Sequence, residues 1–182
     1  MALQIEHIPV EEFDRFALLP ENADKLFEYI GGEIVEVVSN NYSSASAANI
    51  LAEIKMFTKG KDLGYVTGAD GGYRVSGERY IPDVAFISKA KQPHPSRDAY
   101  NPNPPDLAVE VLSPTDDEDD TRIKLVNYLR AGTTVWIVNV DKKLVQVYSP
   151  KASPKTFGIN DILDGGDILA GFTLAVKDIF PD

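Results

Sequence analysis

Two kinds of hydrophobic pattern alternate along the chain, one with the spacing of helices and one typical of strands. In residues 43–59 apolar side chains recur every three or four positions, which predicts a helix capped by Ser43, Ser44 or Ser46. Further helices are predicted at residues 9–19 and at residues 119–131, the second ending at Gly132. Apolar runs separated by turn residues predict strands within residues 28–38 (a hairpin around Gly31-Gly32), 65–69, 73–76, 82–87, 106–112, 135–140 and 144–148.

This order of elements predicts a mixed α/β fold, in which the three strands between residues 65 and 87 are neighbours. At 182 residues the chain has the length of one domain, and no repeat, low-complexity tract or long linker divides it, so residues 1–182 are expected to form a single domain. The run from Asp106 to Leu112 is apolar almost throughout, as in a central strand covered on both faces. Glu110 is the exception within it.

The composition excludes several kinds of site. The chain has no cysteine, so disulfides, thiol nucleophiles and Cys-liganded zinc are ruled out. With only His7 and His94, a histidine cage for a transition metal is also disfavoured, and any metal is expected on oxygen ligands. The glycine motifs of phosphate loops and dinucleotide sites and the serine-hydrolase elbow are absent from the sequence.

The charge is acidic overall and uneven. A net charge of −10 argues against a large, non-specific nucleic-acid footprint, yet residues 55–97 hold eight basic and four acidic side chains, which predicts a local positive surface. Met1–Glu6 lacks the basic and apolar regions of a signal peptide, so we expect a cytoplasmic protein. The apolar runs fall far short of the roughly 20 residues that cross a bilayer, so no membrane association is expected.

Glu110 is the most informative residue of the sequence. A carboxylate inside an apolar strand costs several kcal/mol to desolvate, so it needs a partner, a proton or a cation. Asp83 opens another strand directly after Pro82, and Lys124 lies on the helix that follows the Glu110 strand. Two acids and a lysine can make a nuclease, because carboxylates hold Mg²⁺ while a lysine orients water and offsets phosphate charge.

Spacing alone leaves other interpretations open for each of these residues. Asp83 is equally typical of a turn at a strand end, and Lys124 of a solvated helix surface. Glu110 could instead form a salt bridge with Arg122 or Arg130. Tyr128 lies four residues after Lys124 on the same helical face, where it either supports the lysine or belongs to the core.

Several strings of the sequence, taken together, resemble one known family. The likeness runs from residue 27 to residue 172, and it rests on Phe27-Glu28-Tyr-Ile-Gly-Gly32-Glu33-Ile-Val-Glu36, Tyr80-Ile-Pro82-Asp83-Val-Ala-Phe, Asp106-Leu-Ala-Val-Glu110-Val-Leu-Ser113-Pro114, Lys124, Tyr128, Ala131-Gly132, Val135-Trp136-Ile-Val-Asn139 and Gly171-Phe172. In these strings the chain resembles the Uma-two-type family of restriction endonucleases, which belongs to the PD-(D/E)XK nuclease superfamily.

The resemblance implies a restriction-endonuclease-like fold, in which helices flank a mixed central β-sheet. It also implies that Asp83 is the first metal-binding acid and Glu110 the second. Leu112 stands where the superfamily often has its lysine, and in this family the lysine comes from the next helix, which makes Lys124 the candidate here. Glu28, just before the Gly-Gly turn, is a candidate catalytic residue as a third acid of the metal site, although pairing with Lys25 or with a neighbouring strand explains it equally well.

Two classes of function follow, and a purely structural α/β domain, which no divalent ion would stabilise, is the third alternative. The first is a Mg²⁺- or Mn²⁺-dependent endonuclease that hydrolyses DNA phosphodiester bonds, with basic residues of segments 55–97 and 142–155 on the phosphates. The second is a catalytically inactive protein of the same fold that binds nucleic acid or another protein. A homodimer is expected for the first class, because two strands must be cut and two-fold dimers are the commonest assemblies.

Overall fold

The computed structural model describes residues 7–114 and 116–181, so Met1–Glu6, on which the expectation about a signal peptide rests, lies outside the described residues. Within those ranges no helix is long and apolar enough to cross a bilayer. The α-helices are α1 (Val10–Ala17), α2 (Asn41–Thr58) and α3 (Glu118–Arg130), and short 3-10 helices cover Pro20–Asn22 and Val176–Ile179. The strands are β1 (Phe27–Ile30), β2 (Glu33–Glu36), β3 (Gly64–Gly68), β4 (Gly72–Val75), β5 (Glu78–Tyr80), β6 (Val84–Ser88), β7 (Tyr100–Asn101), β8 (Leu107–Leu112), β9 (Thr134–Asn139), β10 (Leu144–Tyr148), β11 (Lys155–Gly158), β12 (Ile162–Asp164) and β13 (Thr173–Ala175).

Two larger sheets and one hairpin organise these strands. The six-stranded sheet has the order β11-β10-β9-β8-β6-β3, and the five-stranded sheet has the order β2-β1-β5-β4-β7. Strands β8 and β9 are parallel, as are β4 and β7, while the other neighbouring pairs are antiparallel. Strands β12 and β13 form the separate hairpin. The mixed α/β fold predicted from the sequence is therefore confirmed.

The six-stranded sheet is covered on both faces. On one face Val109 belongs to the same apolar cluster as Ile50 and Ile54 of α2. On the other face Ala108 and Val135 belong to a cluster with residues of α3 and of the five-stranded sheet. Because side chains alternate along a strand, Glu110 lies on the same face as Ala108, the one that α3 covers.

Strand β8 is central, as predicted, because it pairs with β6 on one side and β9 on the other. The expectation that the strands between residues 65 and 87 are all neighbours is wrong, since β3 pairs with β6 whereas β4 belongs to the five-stranded sheet. Ser76 and Gly77 explain the difference, because both have positive φ (52° and 94°) and form a tight turn. This turn pairs β4 with β5, a strand that the sequence pattern did not reveal.

Polar caps set the beginnings of the two longer helices. Helix α2 begins at Asn41, before the predicted serines, because the Asn40 side chain accepts a hydrogen bond from the Ser43 amide at 3.0 Å. Helix α3 follows Asp117, whose carboxylate accepts hydrogen bonds from the amides of Asp119 and Asp120. Its last residue is Arg130, and Gly132 follows with φ of 85°, so the helix ends where the sequence predicted.

Candidate active site

Asp83 and Glu110 lie at one end of the six-stranded sheet. Val84 pairs with Val109, so continuing the antiparallel register by one residue sets Asp83 opposite Glu110 and on the same face. The Asp83 carboxylate accepts a hydrogen bond through Oδ2 from the Val111 amide at 2.7 Å. Asp83 therefore precedes a strand, as a turn residue would, but its side chain is fixed against the strand that carries Glu110.

Lys124 joins two acids that are distant in sequence. Its ammonium group lies 2.8 Å from Oε2 of Glu110 and 2.9 and 3.1 Å from the two carboxylate oxygens of Glu28. The Tyr80 ring lies near it, with its centroid 5.7 Å from Nζ. Only 12% of the lysine side chain is exposed. The alternative of a solvated surface lysine is therefore wrong.

Glu110 has two partners in helix α3. Beside Lys124, the Tyr128 hydroxyl donates a hydrogen bond to Oε1 of Glu110 at 2.9 Å, and both residues are buried. Arg122 instead binds Glu118 and Asp119 of its own helix, and Arg130 is exposed. The alternative that an arginine neutralises Glu110 is therefore wrong. The alternative that Tyr128 belongs to the core is confirmed, and its hydroxyl binds the glutamate rather than the lysine.

Glu28 connects the five-stranded sheet to this cluster. It lies on β1 with 6% of its surface exposed, and its Oε1 accepts a hydrogen bond from the Ile81 amide at 2.6 Å as well as from Lys124. The alternative pairing with Lys25 is wrong, because Lys25 binds Glu36 at 3.3 Å, whereas the pairing with a neighbouring strand is confirmed, because Glu28 lies opposite Val35 of β2. Glu28 thus contacts both the catalytic candidate on α3 and the short segment that leads to Asp83.

Burial and neighbouring charge set the protonation of the cluster. Burial raises the pKa of Asp83 to about 6, although the Val111 hydrogen bond and Lys124 act to lower it. Burial likewise raises the pKa of Glu110, with the attraction of Lys124 opposing the change. Burial alone would lower the pKa of Lys124, but Glu110 and Glu28 outweigh it and raise that pKa, so the lysine is charged. Burial and Glu110 raise the pKa of Tyr128, which stays a hydrogen-bond donor.

The cluster forms one wall of a cavity of about 240 Å³ with an acidic lining. Lys124 is the basic residue among its lining residues, whereas seven are acidic: Glu28, Glu36, Asp83, Glu110, Asp116, Asp117 and Asp120. The acidic residues between β8 and the first turn of α3 thus flank the site. Negative charge concentrated in a partly enclosed cavity attracts cations and repels free phosphates.

The donor set fits a hydrated hard cation. Within residues 7–114 and 116–181 no three His, Cys, Asp or Glu side chains are grouped so that they alone could hold a metal ion. Mg²⁺ does not require such a cage, because it binds through one or two carboxylates and retains several waters. Asp83 and Glu110 both line the cavity, and the raised pKa of Asp83 reflects buried negative charge that a divalent cation would offset.

Some contacts of this site were not predicted from the sequence. The sequence gives no signal for the backbone amides of Ile81 and Val111, which hold Glu28 and Asp83, because every non-proline residue has an amide. Tyr80 belongs to one of the strings that carry the family resemblance, but the resemblance implies no role for it. Its position directly before Ile81 in a recognised string was the one signal that could have drawn attention to it.

Comparisons with known proteins identify the family and the fold of the chain. The model of the Uma2 family, described as "Putative restriction endonuclease", matches residues 10–177. The crystal structure of a "putative nuclease belonging to DUF820" from Anabaena variabilis ATCC 29413 superposes with a TM-score of 0.80 and 21% identity, over 92% of this chain and 96% of that one, and confirms the predicted fold. No curated protein matches the chain. Because the family match spans nearly the whole sequence, this protein belongs to the Uma2 family of restriction-endonuclease-like proteins.

Proposed function

We propose that the protein is a Mg²⁺- or Mn²⁺-dependent endonuclease that hydrolyses DNA phosphodiester bonds. The observation that supports this most directly is the buried ammonium of Lys124, which bonds to Glu110 at 2.8 Å in the wall of an acidic cavity that Asp83 also lines. Acids for a metal and a charged lysine for a phosphate are the groups that this reaction needs.

Each side chain has a role that follows from its contacts. Asp83 and Glu110 would hold the metal ion, which when bound supplies charge to stabilise the reacting phosphate and to activate water. Lys124 stays protonated beside Glu110, where its positive charge would offset the negative charge that develops on the reacting phosphate. Tyr128 holds the other oxygen of Glu110 and so fixes the direction of the carboxylate.

The topology indicates which basic residues can reach the DNA. Asp83 directly precedes β6 and Lys89 directly follows it. The last residue of the strand lies four residues beyond Val84, which is roughly 14 Å, so this part of the basic segment 55–97 is remote from Asp83. Because β8 and β9 are parallel, the turn after Asn139 lies at the same end of the sheet as Leu112. We therefore expect phosphate contacts from the exposed Lys142 of this turn, rather than from Lys89.

The acidic rim favours a second candidate, a nuclease-fold protein that binds a partner without cutting DNA. Asp116, Asp117 and Asp120 on the cavity lining would repel a phosphate backbone unless cations intervene. This candidate predicts binding without hydrolysis. A homodimer, which would place two sites on two strands, stays a prediction that sedimentation of the purified protein can check.

A plasmid assay separates the two candidates. Purified protein with supercoiled plasmid should produce nicked circles in Mg²⁺ or Mn²⁺ and none in excess chelator. Asp83→Asn and Glu110→Gln should each abolish nicking, whereas Asp24→Asn, at an exposed position, should leave it unchanged. Nicking that survives both site substitutions would show a contaminating nuclease, and wild-type protein that binds DNA without nicking would support the second candidate.

A further inference from the structure

Glu28 holds Lys124 more completely than Glu110 does. The ammonium group makes hydrogen bonds with both oxygens of Glu28, at 2.9 and 3.1 Å, but with only Oε2 of Glu110, at 2.8 Å. The Ile81 amide adds a further hydrogen bond to Glu28 Oε1 at 2.6 Å. Glu28 thus accepts two hydrogen bonds from the lysine, whereas Glu110 accepts one.

The acceptor capacity of Glu28 is largely used by these contacts. An ionised carboxylate has about four acceptor sites, and three of those on Glu28 accept hydrogen bonds from Ile81 and Lys124. Only 8% of the Glu28 side chain is exposed. A metal ion that bound Glu28 would have to share the carboxylate with these three hydrogen bonds, whereas Asp83 accepts one hydrogen bond, through Oδ2, from the described residues.

We propose that Glu28 is a positioning residue, which keeps the Lys124 ammonium beside Glu110 both before and after a divalent cation binds, and that it is not a third metal ligand. This inference rests on the proposed function, because it concerns the lysine that would act on the phosphate. Glu28 also fixes the Ile81 amide, two residues before Asp83, so one side chain sets the spacing between the lysine and the first acid.

Nitrogen NMR of the lysine ammonium groups tests the inference directly. Buried, hydrogen-bonded ammonium protons exchange slowly with water, and comparison with Lys124→Met identifies the resonance. Saturating Mg²⁺ should shift this resonance of the wild-type protein without abolishing it. If Mg²⁺ shifts the other site signals but eliminates the protected Lys124 resonance, the ion has displaced the lysine from Glu28, and the inference is overturned.

Two matched variants test which of the two carboxylates, Glu28 or Glu110, holds the lysine. Glu28→Gln and Glu110→Gln each remove one negative charge and leave Lys124 one carboxylate partner, so both keep a balanced buried pair. We expect the protected resonance to be lost in Glu28→Gln and retained in Glu110→Gln. The opposite result would make Glu110 the holder and contradict the proposal. Melting temperatures show that each variant is folded before its spectrum is interpreted.

Kinetics separate positioning from a purely structural role. Glu28→Gln should lower kcat for plasmid nicking at least about 100-fold and change KM for DNA less than about threefold, because Lys124 would act on the reacting phosphate alone, whereas DNA binding is shared by many phosphate contacts along the backbone. An unchanged kcat in folded Glu28→Gln would contradict the inference. Failure of the proposed function looks different, since the wild-type protein would then show no nicking and no spectral response to Mg²⁺, which would remove the basis of both proposals.

Discussion

Asp83→Asn should stabilise the protein at neutral pH, although it removes a candidate catalytic residue. The asparagine keeps an oxygen that can accept the Val111 hydrogen bond, so the packing changes little while the buried charge disappears. A buried carboxylate without an oppositely charged partner lowers the stability of the metal-free protein. Asp83 is such a group, because its hydrogen bond comes from a neutral amide and Lys124 binds other acids.

The raised pKa of Asp83 gives the magnitude and the sign. Burial raises this pKa from 3.8 to about 6, and each pKa unit corresponds to about 1.4 kcal/mol, so ionisation costs the folded state roughly 3 kcal/mol. A raised pKa means that the folded protein binds the proton more tightly than the unfolded chain. Stability from this group is therefore present below pH 4 and is lost as the pH rises to about 6.

Thermal unfolding of the metal-free proteins between pH 4 and pH 8 measures the effect. The free energy of unfolding of Asp83→Asn should exceed that of the wild-type protein by an amount that grows by roughly 3 kcal/mol between pH 4 and pH 7. For a chain of this size that amounts to about 6–12 °C in melting temperature. The exposed Asp24→Asn should stay within about 0.5 kcal/mol throughout. A difference between Asp83→Asn and wild type that does not change with pH would refute the reasoning.

Two further substitutions test the surroundings of the site. Tyr128→Phe removes a buried hydrogen bond and leaves Oε1 of Glu110 without this donor, so it should lower the unfolding free energy by about 1–3 kcal/mol. Tyr65→Phe loses an exposed hydrogen bond to a carbonyl and should lower the unfolding free energy by less than about 1 kcal/mol. Equal losses in calorimetry would contradict the role assigned to Tyr128. Lys142→Ala should weaken DNA binding in Ca²⁺ and reduce the slope of the logarithm of the binding constant against log salt by about one, because one phosphate contact is lost. Lys89→Ala should change neither quantity. Equal effects of the two substitutions in a fluorescence titration would contradict the expectation that DNA binds at the Lys142 end of the sheet.

The central strand and its glutamate were predictable because their signal is local. A run of apolar residues identifies β8 without knowledge of its neighbours, and a carboxylate inside that run requires a partner wherever the strand lies. The resemblance to the family then named Lys124 as the candidate catalytic lysine. What it could not provide is the geometry, in which Glu28 also binds the lysine and Tyr128 binds Glu110.

Strand β5 was missed because its signal is not local. Its residues include Glu78 and Arg79, which are unusual in a buried strand, and Arg79 is 6% exposed. The arginine is tolerated there because Asp14, 65 residues earlier in the chain, binds its guanidinium group at 2.7 and 2.9 Å. A contact between residues so far apart leaves no pattern in either segment, so only the folded structure reveals why the strand forms.

Helix α3 shows the same limit and also indicates why the cluster exists. Val126 is 55% exposed, whereas the side chain of Lys124 is 12% exposed, so the helix turns a charged residue inward and an apolar residue outward. Hydrophobic periodicity would predict the opposite orientation. Replacing buried ion pairs by apolar residues is often neutral or stabilising, so stability alone does not favour the buried Lys124 with its two carboxylates. We infer that the helix keeps this orientation because Lys124 has a functional role beside Glu110. Hydrophobic periodicity is expected to fail at functional sites, where a side chain is selected for its chemistry and not for its contribution to stability.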